Sequence, residues 1–355
     1  GRERVAHDRW RRMTGIPHFH RLVERAAREL IPLDVSLELT WQCNFRCRHC
    51  YIPDLGAPDA VSTPRLLELL EELAEMGTLF LALTGGEPLL RRDWDVIVRR
   101  ARELGFQVTL LTNGSLVDER IADILAKLAV SVEVSFHSAD PVVFDRVTTR
   151  KGSAARVLEN VRSLRDRDVS VELKVPVSRI SRDDAVGVSR LADELGIEAR
   201  FYTTIVGTKD GGLTPLELRL PAADAVRIAA ATDAGCPVPG ESAEHPAGDG
   251  PLCAAGVRHA NITPSGDVLA CNIFPGSVGN INRSSFREIW EQSPRLQQIR
   301  AIRRSDLTVC STCSKLPYCR RCHAQALVED GDILGPSSAA CAFAAALEDA
   351  AKKGA

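Results

Sequence analysis

Long apolar runs are missing from this 355-residue sequence. None approaches the roughly 20 residues that a membrane-spanning helix needs, and the first residues contain no apolar segment of the kind that marks a secretory signal. An excess of charge of either sign is missing too. Lys and Arg number 45 against 47 Asp and Glu, for a formal net charge of −2, a balance that favours neither nucleic acid nor a membrane surface as partner. Low-complexity tracts are absent. Cysteine is absent from Tyr51 through Gly235. The expectation is a cytoplasmic globular protein with its special chemistry confined to two regions.

The eleven cysteines that are present fall outside that gap. Cys43, Cys47 and Cys50 form a C-x3-C-x2-C loop, Cys236 stands alone, and seven more follow from Cys253 onward. Disulfide-stapled secreted domains are small and short of core. With 45% hydrophobic residues this chain can bury a large one. Clustered C-x2-C and C-x3-C spacings in such a chain read as metal or cluster ligands.

From Leu33 to about Ile205, short strand-like runs alternate with amphipathic ones. Strands are expected at 34–40, 79–84, 107–112, 132–136, 171–177 and 199–204, with helices at 64–76, 94–104, 119–128, 155–165 and 185–195 between them. Ser62-Thr63-Pro64 supplies an N-cap signal with Pro near the first helical position. Six β/α units in succession imply parallel strands with right-handed crossovers. Six rather than eight implies an open barrel: an α/β fold, a partial (β/α)6 TIM-like barrel. Such a fold places ligands at the carboxyl ends of its strands, where the Cys43 loop falls. An N-terminal helical segment (1–32) precedes this barrel (33–235). A helix over 222–234 and a Pro- and Gly-rich linker (236–252) follow, then a cysteine-rich domain (253–345) and a short tail (346–355). That domain should open with a hairpin over 261–271 and continue with an amphipathic helix over 285–300.

Three thiolates on one loop leave a four-ligand centre one short. A structural zinc site wants four protein ligands, whereas a [4Fe–4S] cluster with one open iron matches the count. The next strand ends in Gly85-Gly86-Glu87-Pro88, where paired glycines permit close backbone approach and Glu87 with exposed carbonyls can meet an ammonium group. Thr112-Asn113 and Ser135 end the third and fourth strands; a plain alternative is that such polar residues only terminate them. Together these segments resemble the radical S-adenosylmethionine superfamily: the cysteine loop its cluster signature, the Gly85–Pro88 turn its GGEP motif. The resemblance implies that Cys43, Cys47 and Cys50 hold a [4Fe–4S] cluster. Gly85, Gly86, Glu87 and Pro88 would meet the methionine end of S-adenosylmethionine, and Thr112, Asn113 and Ser135 its ribose and methionine side. His49 stands where the family usually has an aromatic near the adenine, with Tyr51 just beyond. Arg146 and Arg150 could meet a carboxylate or form a solvated basic face.

The later cysteines resemble the SPASM domain, an extension of this superfamily that holds auxiliary iron–sulfur clusters. Cys253-x12-Gly266-x4-Cys271 and Cys310-x2-Cys313-x5-Cys319 fit its pattern, while Cys319-x2-Cys322 is one residue short of the commoner spacing. By that pattern Cys310, Cys313, Cys319 and Cys341 hold one cluster and Cys253, Cys271 and Cys322 the other. The fourth ligand of the latter is Cys236, a non-cysteine group or none. Spacing alone does not choose between zinc and iron–sulfur here. The resemblance implies S-adenosylmethionine and three [4Fe–4S] clusters as cofactors, and an electron donor such as flavodoxin or ferredoxin. It also implies oxidative modification of a ribosomally made peptide, presented by a separate leader-recognition protein or by none. Radical oxidation or decarboxylation of a small molecule, such as a tetrapyrrole side chain or an alcohol, is the alternative. A non-catalytic iron–sulfur or zinc protein is the alternative of another class.

Overall fold

A computed structural model describes residues 17–232 and 251–354. Cys236 and nearly all of the expected linker lie outside the described residues. Six parallel strands form the barrel wall: β1 (Asp34–Thr40), β2 (Phe80–Gly85), β3 (Gln107–Thr112), β4 (Ser131–Ser135), β5 (Val171–Pro176) and β6 (Glu198–Tyr202). Each pairs in parallel with its successor. Helices Thr63–Glu75, Trp94–Glu103, Glu119–Lys127, Ser153–Arg165 and Ala185–Leu195 make the crossovers, and a further helix, Pro141–Thr148, follows β4.

Local chemistry sets these boundaries. The Ser62, Asp118 and Asp140 side chains each accept a hydrogen bond from the first turn of the helix that follows, satisfying donors that a helix start leaves orphaned. Helix Ala185–Leu195 ends at Gly196, whose φ of +66° costs a glycine little. The expected single helix over 285–300 is two, Phe286–Gln292 and Pro294–Ala301. Pro294 has no N–H to continue the first, so Ser293 closes one helix and caps the next.

The strands have two chemically different faces. Leu37, Leu39, Leu81, Leu83, Val108, Leu110, Val132, Val134, Leu173 and Val175 are all buried, and they occupy alternate positions of one face. Each fully buried side chain of this kind stabilises the fold by about 1.5–3 kcal/mol. The intervening positions carry Ser36, Glu38, Thr84, Thr109, Glu133, Ser135, Glu172, Lys174 and Arg200, which by alternation share the opposite face.

The hairpin joins this same sheet. β7 (His259–Ile262) lies parallel to β1, with Asp34 opposite His259 and Leu37 opposite Ile262. β8 (Asp267–Leu269) and β9 (Gly279–Asn280) follow antiparallel. The full order is β6-β5-β4-β3-β2-β1-β7-β8-β9. The segment that follows is fastened to the N-terminal half. Trp290 donates through its indole N–H to Leu30 O (2.5 Å), and the backbone N–H of Phe286 donates to Glu72 (2.5 Å).

Candidate functional site

Cys43, Cys47 and Cys50 sit on the loop that leaves the carboxyl end of β1. Three neighbours fix its path. The N–H groups of Arg46 and Arg48 donate to the carbonyls of Thr148 (3.1 Å) and Val147 (3.0 Å), carbonyls that the end of helix Pro141–Thr148 leaves unpaired. Gly86 N donates to Thr40 O (2.7 Å) and Glu87 N to Gln42 O (2.8 Å). An added Cβ on Gly85 would overlap the Thr40 carbonyl oxygen, and one on Gly86 would lie 2.5 Å from Trp41 O and nearer still to Gln42 O. The paired glycines thus allow β2 to press its end against the cysteine loop itself. Finally, the Asn113 amide donates to Asn44 Oδ1 (2.8 Å) and approaches Cys43 Sγ (3.9 Å), while Asn44 donates to Ser115 (2.8 Å).

Glu87 is 0% exposed. Its carboxylate accepts from Thr112 Oγ1 (2.8 and 2.9 Å), Asn113 N (2.8 Å) and Leu89 N (3.1 Å). Burial pushes its pKa up to about 7, against the pull of those donors. Glu87 and Thr112 therefore engage each other beneath the cysteine loop, joining the ends of β2 and β3. Pro88, also buried, begins the short turn of helix that follows.

Burial raises the pKa of all three loop thiols, so they favour the neutral form until a metal takes them as thiolates. His49 packs edge-on against His137, ring centroids 5.1 Å apart, and His137 Nε2 lies 3.9 Å from Cys47 Sγ. Burial lowers both imidazole pKa values, that of His49 to about 4, so both rings are neutral at pH 7. Arg146 and Arg150 are exposed.

Tyr51 leads into a buried network. Its carbonyl accepts from Lys209 N (2.9 Å), and Lys209 Nζ lies 5.3 Å from its ring centroid. Lys209 Nζ pairs with Glu38 Oε1 at 2.7 Å, the two side chains 5% and 0% exposed. Glu38 also accepts from the Trp41 indole (2.5 Å). Lys209 Nζ donates further to Asn272 O (2.9 Å), the residue after Cys271. Asn261, with its amide oriented to satisfy both ends, donates to Glu38 and accepts from Lys209, each at 3.3 Å.

Across the polar face, register aligns Ser135 with Lys174 and Lys174 with Arg200; one step earlier it aligns Glu133, Glu172 and Glu198. A row of carboxylates thus lies below a row ending in two cations. Lys174 pairs with Glu133, and Arg200 with Glu172 at 2.9 Å. Burial raises Glu172 to about 7, more than Arg200 lowers it, and its Oε1 is buried without a hydrogen-bond partner among the described residues. Sequence reasoning missed Glu38, Glu133, Glu172, Lys174, Arg200 and Lys209. The signal was there for the strand residues: parallel strands are covered on both faces and normally read as continuous apolar runs, whereas Val171-Glu172-Leu173-Lys174-Val175 alternates.

The C-terminal cysteines form two neighbourhoods. Cys253 and Cys271 each lie within electrostatic range of Cys322, and burial lifts the Cys271 thiol to about 11. Cys319 and Cys341 lie within range of one another and of Cys310 and Cys313. Among the described residues no three His, Cys, Asp or Glu side chains converge as ligands of a single metal ion.

An open parallel barrel with a three-cysteine loop on its first strand, followed by a second cysteine array, defines the class. The profile of the "Radical SAM superfamily" matches residues 37–179, and that of the SPASM "Iron-sulfur cluster-binding domain" matches 253–323. The chain belongs to the radical SAM superfamily and carries a SPASM domain; it is an enzyme of that class, with S-adenosylmethionine and iron–sulfur clusters as its cofactors. It is 27% identical over 331 residues to the AdoMet-dependent heme synthase of Methanosarcina barkeri, covering 85% of this chain and 94% of that protein. It is 29% identical over 331 residues to the PqqA peptide cyclase of Xanthomonas axonopodis pv. citri, covering 86% and 87%. Among solved structures, SuiB of Streptococcus suis bound to S-adenosylmethionine superposes with a TM-score of 0.72 at 18% identity, covering 91% of this chain and 81% of that one. That likeness is one of fold. No helix among the described residues is long and apolar enough to cross a membrane.

Proposed function

We propose that this enzyme oxidatively modifies a ribosomally synthesised peptide, forming a cross-link or a related modification. The observation that carries the reading is the similarity to PqqA peptide cyclases, which covers 86% of this chain. When bound, the loop cluster and S-adenosylmethionine supply a 5′-deoxyadenosyl radical that takes a hydrogen atom from an unactivated carbon.

Cys43, Cys47 and Cys50 hold the loop cluster. Gly85, Gly86, Glu87 and Pro88 form the methionine-side segment, while Thr112, Asn113 and Ser135 line the cofactor beside it, with His49 and Tyr51 flanking the adenine. Glu87 does its part from below: Thr112 and Asn113 at the end of β3 and Leu89 in the turn after β2 donate to its carboxylate and so fix the loop. The lumen row of Ser135, Lys174 and Arg200 orients the substrate and its surrounding strands keep water out. Cys310, Cys313, Cys319 and Cys341 hold one auxiliary cluster and Cys253, Cys271 and Cys322 the other, making three. Those cysteines would thereby supply, through the clusters they hold, a one-electron acceptor for a net two-electron oxidation of the substrate. Flavodoxin or ferredoxin serves as electron donor, and the leader is presented by a separate protein or by none.

The test is anaerobic incubation of reconstituted enzyme with S-adenosylmethionine, dithionite and each short peptide found encoded in the open reading frames that flank its gene. Loss of two hydrogens from the peptide mass, matched by 5′-deoxyadenosine, is the expected result. A second reading, oxidation or decarboxylation of a tetrapyrrole side chain, is favoured by the similarity to the heme synthase. An unchanged peptide beside a decarboxylated porphyrin would decide for it.

A further inference from the structure

One cavity adjoins the polar row of the sheet and shares Arg200 with it. Its volume is about 530 Å³, and it lies between the end of β6 and the helices Ala222–Ala231 and Ser338–Gly354. That volume falls within the range of about 300–1,000 Å³ usual for binding pockets. Arg200, Phe201 and Tyr202 of the edge strand β6 line one side of it, so the cavity lies at the end of the row of Ser135, Lys174 and Arg200. Alanines and Phe343 make up much of the rest.

Its charge is one-sided. Among the described residues three arginines, Arg200, Arg219 and Arg320, contribute to the lining, and no aspartate or glutamate does. Arg219 is held from behind by a bidentate pair with Glu329 at 2.6 Å for both bonds. Arg200 is held by Glu172 through one nitrogen only, at 2.9 Å. A guanidinium has five N–H donors, so these partners orient the two groups without exhausting them. Arg320 is exposed and forms no ion pair among the described residues. Apolar walls around fixed cations strengthen their attraction for an anion relative to open water.

We propose that this cavity receives an acidic segment of the peptide substrate, its carboxylates meeting Arg320 at the mouth and Arg200 at the inner wall, and so delivers the neighbouring residue to the lumen row. The proposal rests on the peptide reading of function and deepens it by assigning charge to the recognised segment.

The experiment uses reconstituted holoenzyme and three fluorescein-labelled decapeptides of alternating Glu-Gly, Gln-Gly or Lys-Gly, followed by fluorescence anisotropy. The Glu peptide should bind at least about tenfold more tightly than the Gln peptide, and added salt should narrow the gap. Arg320→Gln should weaken the Glu peptide about fivefold and leave the Gln peptide unchanged, as expected for loss of one charge-assisted contact. Because Arg320 adjoins Cys319, a second variant, Ser338→Glu, places a carboxylate in the lining at an exposed position. It should weaken the Glu peptide by a similar factor with iron content unchanged. Equal binding of the Glu and Gln peptides, or a Ser338→Glu variant that binds the Glu peptide like the parent, would overturn the proposal. Failure of the peptide reading shows elsewhere, as an unmodified peptide mass, so the two can fail separately.

Discussion

Lys209 donates to the carbonyl oxygen of Asn272 at 2.9 Å while pairing with Glu38 at 2.7 Å. One ammonium group therefore touches the strand that carries the first cysteine loop and the residue beside Cys271. Removing it leaves Glu38 buried without a counter-ion. Lys209→Met should lower stability by about 3–5 kcal/mol, read as a fall in urea midpoint, and Glu38→Gln in the same chain should restore most of the loss. A single variant as stable as the parent would show that the pair contributes little.

Gly86→Ala tests what the paired glycines are for. The new methyl group meets the backbone carbonyls of Trp41 and Gln42, which cannot swing away as a side chain can. A cost of about 1–3 kcal/mol is expected, taken where the cysteine loop joins β2. Iron analysis after reconstitution should show the loop's share lost and the C-terminal share retained. Full iron content with full 5′-deoxyadenosine formation would contradict this.

Replacing Cys43, Cys47 and Cys50 together by Ala should abolish 5′-deoxyadenosine formation under dithionite and leave the C-terminal clusters visible by absorbance and electron paramagnetic resonance. Persistent cleavage would remove the loop from its assigned role.

Glu172 gives a pH dependence with a definite sign. Its folded pKa is raised to about 7 by burial, above its ordinary value of 4.5, so between those values the folded state holds the extra proton. Its contribution is fully present below about pH 4.5 and is lost as pH rises through 7, with a slope of at most about 1.4 kcal/mol per pH unit. Glu172→Gln should flatten that part of the stability–pH curve of the apo protein. Parallel curves for variant and parent would refute the assignment.

Much of this was legible beforehand. Every barrel strand begins and ends within about two residues of its expected place, because alternation and turn chemistry are local signals. The cysteine sets and the Gly85–Pro88 turn were legible from spacing. The β7–β1 pairing was not, since a parallel partner more than two hundred residues away leaves no mark on either segment. Pro294 was passed over because the apolar stripe continues across it. The role of Gly86 was half seen: close approach was expected toward a small ligand, and the backbone it meets is that of Trp41 and Gln42. Lys209, in an irregular loop, had no periodicity to expose it.

The place of β7 in the sheet has a consequence for how the protein is made. Asp34 and His259, opposite one another in that ladder, are separated by 225 positions. On a ribosome adding about 5–20 residues per second, β1 and its cysteine loop emerge well before the strand that covers their open edge. An uncovered edge strand is a template for wrong pairing. Emergence of the loop and closure by the C-terminal segment therefore become sequential events, and slowing synthesis after β6 should increase aggregation rather than merely reduce yield.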